Sequence, residues 1–213
     1  MQTINFRGWY TNIDYGLDSL TADEIFHNGM KLAQNLYNFH WTENAIAGIL
    51  GNVHGESGIN PGSMENSGGE RPWSELPTNE EVLESSYLRG MGFTQWTPGR
   101  DKIVQFAEDT GRIWYDGLAQ VFRLKWECDN NYQMGGWQWY IHNTGDPADL
   151  AEYFLRQYER PSEEQIEATL PTRRRYATAW YDRIHGKLAN PMNWVYTQKN
   201  RERKELKRRC LRV

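Results

Sequence analysis

Hydrophobic positions recur at helical spacing through most of the chain. Thr21 stands three residues before Glu24 in a capping-box pattern, and Ile25, Phe26, Leu32, Ala33, Leu36 and Tyr37 follow as an apolar stripe. Thr42 opens a second helix in which Ala45, Ile46, Ile49, Leu50 and Val53 repeat at steps of three and four, before Gly58 and Pro61 end it. So apolar a helix is expected to be buried. Thr97 before Pro98 reads as an N-cap and first helical position, leading through Ile103, Val104, Phe106 and Ala107 to a stop at Gly111. Asp116 starts a run with Leu118, Val121 and Phe122, and Asp146 and Pro147 start one with Leu150, Ala151, Phe154 and Leu155. Pro171 reads as the start of a last long helix through Tyr176, Ala179, Trp180 and Ile184. Strand-like stretches are short, at 91–96 and 137–141, and predict a small hairpin beside a helical body. Residues 62–87 are rich in Gly, Ser, Pro and Glu, far longer than the usual connection of about 4 to 6 residues. Thr78 and Glu81 predict one short helix inside this excursion.

Composition narrows the class. A chain of 213 residues suits one medium domain with an appendage. Its mean hydropathy of -0.83 and the lack of a long apolar run exclude membrane insertion. The first nine residues offer neither a charged n-region nor an apolar h-region for a secretory signal, so action outside a cell implies another route. Cys128 and Cys210 belong to no cluster of zinc spacing, and the five histidines show no ligand pairing, so no metal or cofactor is expected. Ten tryptophans exceed what one core of this size needs, which leaves both core packing and a groove for a flat-faced ligand open.

Charge divides the chain. From 199 to 213, eight basic residues against Glu202 and Glu205 give +6, while the preceding 198 residues, with 16 basic and 26 acidic groups, carry -10. The basic end is read either as a solvated extension or as an arm for an anionic partner surface. Nucleic acid is the less favoured partner, since no nucleic-acid module accompanies the run.

The chemistry centres on Glu56. It closes the apolar helix after Thr42, where the negative pole of the helix dipole and the flanking Val53 and Ile59 disfavour a charged carboxylate. The expectation is a carboxyl that keeps its proton near neutrality and can donate it. A second motif, Gly90, Met91, Gly92, Phe93, Thr94, Gln95, Trp96, Thr97 and Pro98, follows the long excursion.

Together these motifs resemble the lysozyme superfamily. A Glu-Ser at a buried helix end with Asn60 and Pro61 just beyond, then a Gly-x-x-Gln hairpin, is similar to goose-type lysozymes and soluble lytic transglycosylases. The chain looks closest to the phage tail lysozyme family, whose Phe-x-x-x-x-Glu-x-Pro segment is matched by Phe154, Glu159 and Pro161. That family's Arg-x-x-Ala-x-x-Trp-Tyr helix is matched by Arg174, Ala177, Trp180 and Tyr181. The resemblance covers about residues 24–186. It implies a mainly α, lysozyme-like domain over 21–186, with an N-terminal arm at 1–20 and a basic extension at 187–213. It makes Glu56 the catalytic acid, with Ser57, Gln95, Trp96 and Tyr158 on the substrate side. For Trp96 alone, a core aromatic is as good a reading as a sugar platform.

The implied substrate is bacterial peptidoglycan, cut between N-acetylmuramic acid and N-acetylglucosamine. The implied setting is a virion tail among other tail proteins; a lysis enzyme in the host cytoplasm and a catalytically dead wall-binding component are the alternatives. A hydrolase needs a second carboxyl, and the excursion supplies Glu65, Glu70, Glu75, Glu80, Glu81 and Glu84, of which Glu70 between Gly69 and Arg71 is the candidate. A lytic transglycosylase needs none, so hydrolysis and transglycosylation both stay open. Gly55, Glu56, Ser57 and Gly58 do not make a nucleophile elbow, because Ile59 stands where glycine is required, and Gln95 breaks the dinucleotide-binding pattern begun by Gly90 and Gly92.

Overall fold

The computed structural model describes residues 3–16, 20–66, 69, 71–130 and 137–190. A hairpin of β1 (Ile4–Phe6) and β2 (Trp9–Thr11) pairs Ile4 with Thr11 and Phe6 with Trp9, antiparallel. Helices follow as α1 (Ala22–Tyr37), α2 (Glu43–Ser57), α3 (Asn79–Glu84), α4 (Gln105–Asp109), α5 (Gly117–Asp129), α6 (Trp137–Ile141), α7 (Pro147–Phe154) and α8 (Glu163–Ile184). A π-helical turn at Arg100–Val104 leads into α4, and another at Leu155–Glu159 extends α7.

The fold is built around α2. The Thr42 hydroxyl accepts from Ala45 N at its start, Gly58 takes the left-handed conformation at its end, and the run from Ala45 to Val53 is buried on all sides. A helix apolar all round belongs at the centre of a core. Helices α7 and α8 lie along it, and two glycines set how closely α8 approaches. A Cβ on Gly51 would stand 2.6 Å from the Arg173 carbonyl, and one on Gly55 2.6 Å from the Arg173 guanidinium. Trp9, Trp114, Trp137 and Trp180 are fully buried, and Trp41 and Trp96 nearly so. The aromatic excess is therefore mostly core.

Five details depart from the sequence expectation. Residues 137–141 form helix α6, because Trp137, Tyr140 and Ile141 bury at steps of three and four. Helix α8 starts at the Ser162–Gln165 capping box, with Pro171 inside it on an exposed position. The helix expected from Pro98 begins at Arg100. The two-stranded sheet lies in the segment read as an N-terminal arm. There Trp9, Thr11, Asn12, Ile13 and Tyr15 are buried, and Thr11 and Asn12 bond to Asn60. Residues 91–96 make only a tight turn, closed by the Met91 and Trp96 backbones at 3.2 and 3.0 Å.

Candidate active site

Glu56 occupies the last turn of α2, and its side chain keeps 24% exposure, so it is anchored in the core yet reaches solvent. It faces a cavity of about 410 Å³ bordered by Tyr15, Gly55, Ser63, Glu65, Asn66 and Gln95 among others. A larger cavity of about 940 Å³ lies elsewhere, between the β1–β2 turn and α1, where the acid Asp116 is tied up by Arg7 and Arg112.

Local sequence explains how these side chains converge. Gly58 and Ile59 both adopt left-handed backbone (φ 59° and 55°), which turns the chain sharply after Glu56. A buried Ile rarely adopts this conformation, and Asn28 steadies it by donating to the Ile59 carbonyl at 2.9 Å. Asn60 then donates to Asn12 O at 3.1 Å, joining this corner to the N-terminal strand. Across the cavity, Gly92 and Gln95 turn the chain with φ of 78° and 50°. The buried Gln120 amide accepts from Phe93 N at 2.8 Å and donates to Pro61 O at 2.7 Å, so one side chain fixes both walls. Gln95 itself donates to Ser63 Oγ and Gly92 O.

The carboxyl of Glu56 is not isolated. Arg173 on α8, itself buried, donates to Glu56 Oε1 through Nη2 and to Asn52 O through Nη1. Glu56 is thus one half of an ion pair, and glycine at 55 leaves room for the guanidinium over the helix end. Behind it, the π-helical turn after α7 brings in Glu159, whose Oε1 is closed to solvent and has no hydrogen-bond partner. Burial holds the Glu159 carboxyl well above the usual range; the charge of Glu56 adds to this, the Arg173 guanidinium offsets part, and Glu127 raises it further.

Glu127 on α5 is the third acid in this region, and its oxygens are fully engaged. Trp96 Nε1 donates to it at 3.2 Å, Arg123 pairs with it at 3.1 Å, and the Tyr158 hydroxyl donates to Oε2. Burial still raises it, while Tyr158, Arg123 and Trp96 each pull the other way. Among the described residues no group of three His, Cys, Asp or Glu side chains is arranged to hold a metal ion.

Residues 27–184 match the family described as phage tail lysozyme, a span that contains α2, the turn at 91–96 and α8. The chain belongs to the phage tail lysozyme family. It is also similar to Morphogenesis protein 1 of Bacillus phage B103, at 31% identity over 173 residues, which is 79% of this chain and 42% of that protein. The chain thus spans less than half the length of that relative.

Within this phage tail lysozyme, the residues singled out in the sequence divide. Glu56 and Gln95 border one cavity. Three others do not. Trp96 is buried with its ring nitrogen on Glu127, so it is not a sugar platform. Tyr158 is likewise buried, and its hydroxyl serves the same carboxylate rather than a substrate. Ser57 is buried and its hydroxyl meets Val53 O at 3.0 Å and Phe93 O at 2.9 Å, which ties the end of α2 to the turn. Glu70 and residues 191–213 lie outside the described residues. His54 stacks on Tyr176 with centroids 3.9 Å apart and accepts from Trp180 Nε1. Burial, then the charges of Arg183 and Arg173, lower it to about 4.

Sequence reasoning missed Arg173, Glu127 and Tyr15. Arg173 did carry a signal, since it heads the buried stripe Arg173, Ala177, Trp180 and Ile184 at helical steps. An arginine on the apolar face of a helix needs an anion. Tyr15 gave no such sign; only the fold brings the N-terminal segment to the cavity.

Proposed function

We propose that this phage tail lysozyme cleaves the bond between N-acetylmuramic acid and N-acetylglucosamine in bacterial peptidoglycan, with Glu56 as general acid. The observation that carries the reading is that Glu56 alone of the three clustered acids, Glu56, Glu127 and Glu159, borders the open cavity. In the reaction, Glu56 gives a proton to the glycosidic oxygen as its bond to C1 breaks, and positive charge develops on the sugar ring. Amides of Gln95 and Asn66, and the ring of Tyr15, supply the polar and flat surfaces that sugar hydroxyls, N-acetyl groups and ring faces require.

Hydrolysis is favoured over transglycosylation by Glu65, which borders the same cavity. Its Oε2 accepts from Gly90 N at 2.9 Å and so is held to the wall opposite α2. Its position suits a base that takes a proton from the attacking water, the role sequence reasoning assigned to Glu70. The setting we infer is a virion tail in contact with other tail proteins, in keeping with the family and with a relative named as a morphogenesis protein. Clearing of purified cell walls by wild type and Glu56→Gln tests the enzyme reading; equal clearing by both, or none by either, would defeat it. Mass spectrometry of the released muropeptides separates the mechanisms, because a transglycosylase leaves 1,6-anhydro ends and a hydrolase does not.

A further inference from the structure

Glu56 at the edge of one cavity and Glu127 and Glu159 behind it form a cluster of three acids, and only one of them has a buried oxygen without a partner. Glu159 is half-buried as a residue, but its Oε1 is sealed and makes no hydrogen bond. Such an atom in a packed interior calls for an explanation, since a polar group is rarely left this way without a use. The groups facing it are Glu56 from α2, Arg173 from α8 and Glu127 from α5. Tyr158, its neighbour on the π-helical turn, is already committed to Glu127. Arg173 is the sole cation among these that is not bound to Glu127, and it is paired with Glu56.

Resting on the reading of Glu56 as the acid, we propose that Glu159 is a positioning residue for it, and that the two carboxyls share one proton and one guanidinium. In the unliganded enzyme the proton is on Glu159 and Arg173 is on Glu56. For Glu56 to act as an acid it must gain a proton, and Arg173 must then find another anion. Glu159 meets both needs: a proton passes from Glu159 to Glu56 and Arg173 turns from Glu56 to Glu159. One proton moves, one negative charge moves the other way, and the net charge of the three groups does not change. Up to the moment of proton donation the cluster therefore holds one carboxylate and one guanidinium, and a second carboxylate, which burial disfavours, exists only between donation to the leaving oxygen and recovery of a proton from solvent. After Glu56 has protonated the leaving oxygen, it returns to Arg173, and Glu159 recovers its proton from solvent.

Two experiments test this. The first is the pH profile of wall clearing by Glu159→Gln, whose amide can neither release a proton nor serve as the anion for Arg173. It should lose about tenfold or more at neutral pH and recover part of this at acid pH, where Glu56 draws its proton from solvent. Its melting temperature at neutral pH should equal or exceed that of wild type. A wild-type profile, or a loss uniform over pH that tracks a lower melting temperature, would overturn the proposal.

The second needs no substrate and uses carboxyl-carbon NMR on the full chain. In Glu56→Gln protein, Arg173 is released, so the Glu159 carboxyl should titrate at lower pH than in wild type; an unchanged titration would overturn the proposal. If wild type clears no walls while this titration shifts as described, the reading of Glu56 as an enzyme acid fails and the shared proton stands.

Discussion

Glu127 and Glu159 are two acids of one interior with opposite surroundings. Glu127 receives an indole, a phenol and a guanidinium, so that its charge is compensated from three helices or turns. Glu159, on the π-helical turn whose Tyr158 serves Glu127, has a sealed oxygen with no donor. A buried carboxylate with its donors in place holds α5, the turn at 91–96 and the end of α7 together; one without them remains neutral and free to exchange a proton. Burial alone does not mark a functional acid. What marks it is which donors the fold supplies.

The largest effect should come from breaking the satisfied cluster. Glu127→Ala strands Arg123, Trp96 and Tyr158 in the core and is expected to cost about 3–5 kcal/mol, measured by urea unfolding. Retained stability would mean that the cluster is ornamental. Next comes a pH test on a half-buried group. His54 is neutral with a value lowered to about 4, below its unfolded value, so the unfolded chain binds more protons between those limits and stability falls as pH drops through that window. The loss is bounded by about 3 kcal/mol, and His54→Gln should flatten it.

Glu159 gives the opposite sign. Its folded value is raised, so its contribution is complete below the unfolded value near 4 and declines as pH rises. Wild type should therefore lose stability relative to Glu159→Gln between acid and neutral pH, read as a widening gap in melting temperature. A constant gap would contradict the assignment. Smaller effects should follow from single donors: Tyr158→Phe removes one hydrogen bond to a carboxylate and should cost about 1.5–3 kcal/mol. Ser57→Ala, which loosens the turn from α2, should cost about 1 kcal/mol.

Much of this arrangement was legible in the residues. The Thr21 and Thr78 capping boxes, the burial of α2 and the place of Glu56 at its end follow from local rules that need no tertiary knowledge. The aromatics that lie away from the cavity had a different cause. Trp96 and Tyr158 carry polar tips that suit a sugar groove or a buried acid equally well, and only Glu127, far along the chain on α5, decides between them. The N-terminal strand was illegible for a similar reason. Its three-residue pairing is too short for a period to show, and its packing rests on Asn60 and the cavity wall rather than on its own pattern. Arg173 lay in plain view within three successive arginines, but selecting it required the phase of α8, whose start was misplaced at Pro171.

The proposed mechanism requires that Glu56 alone supply the proton to the leaving oxygen. Its most direct test is release of soluble muropeptides from purified peptidoglycan by Glu56→Gln protein whose circular dichroism and melting temperature match those of wild type. A fall in rate of about a hundredfold or more is expected. Release at the wild-type rate would contradict it.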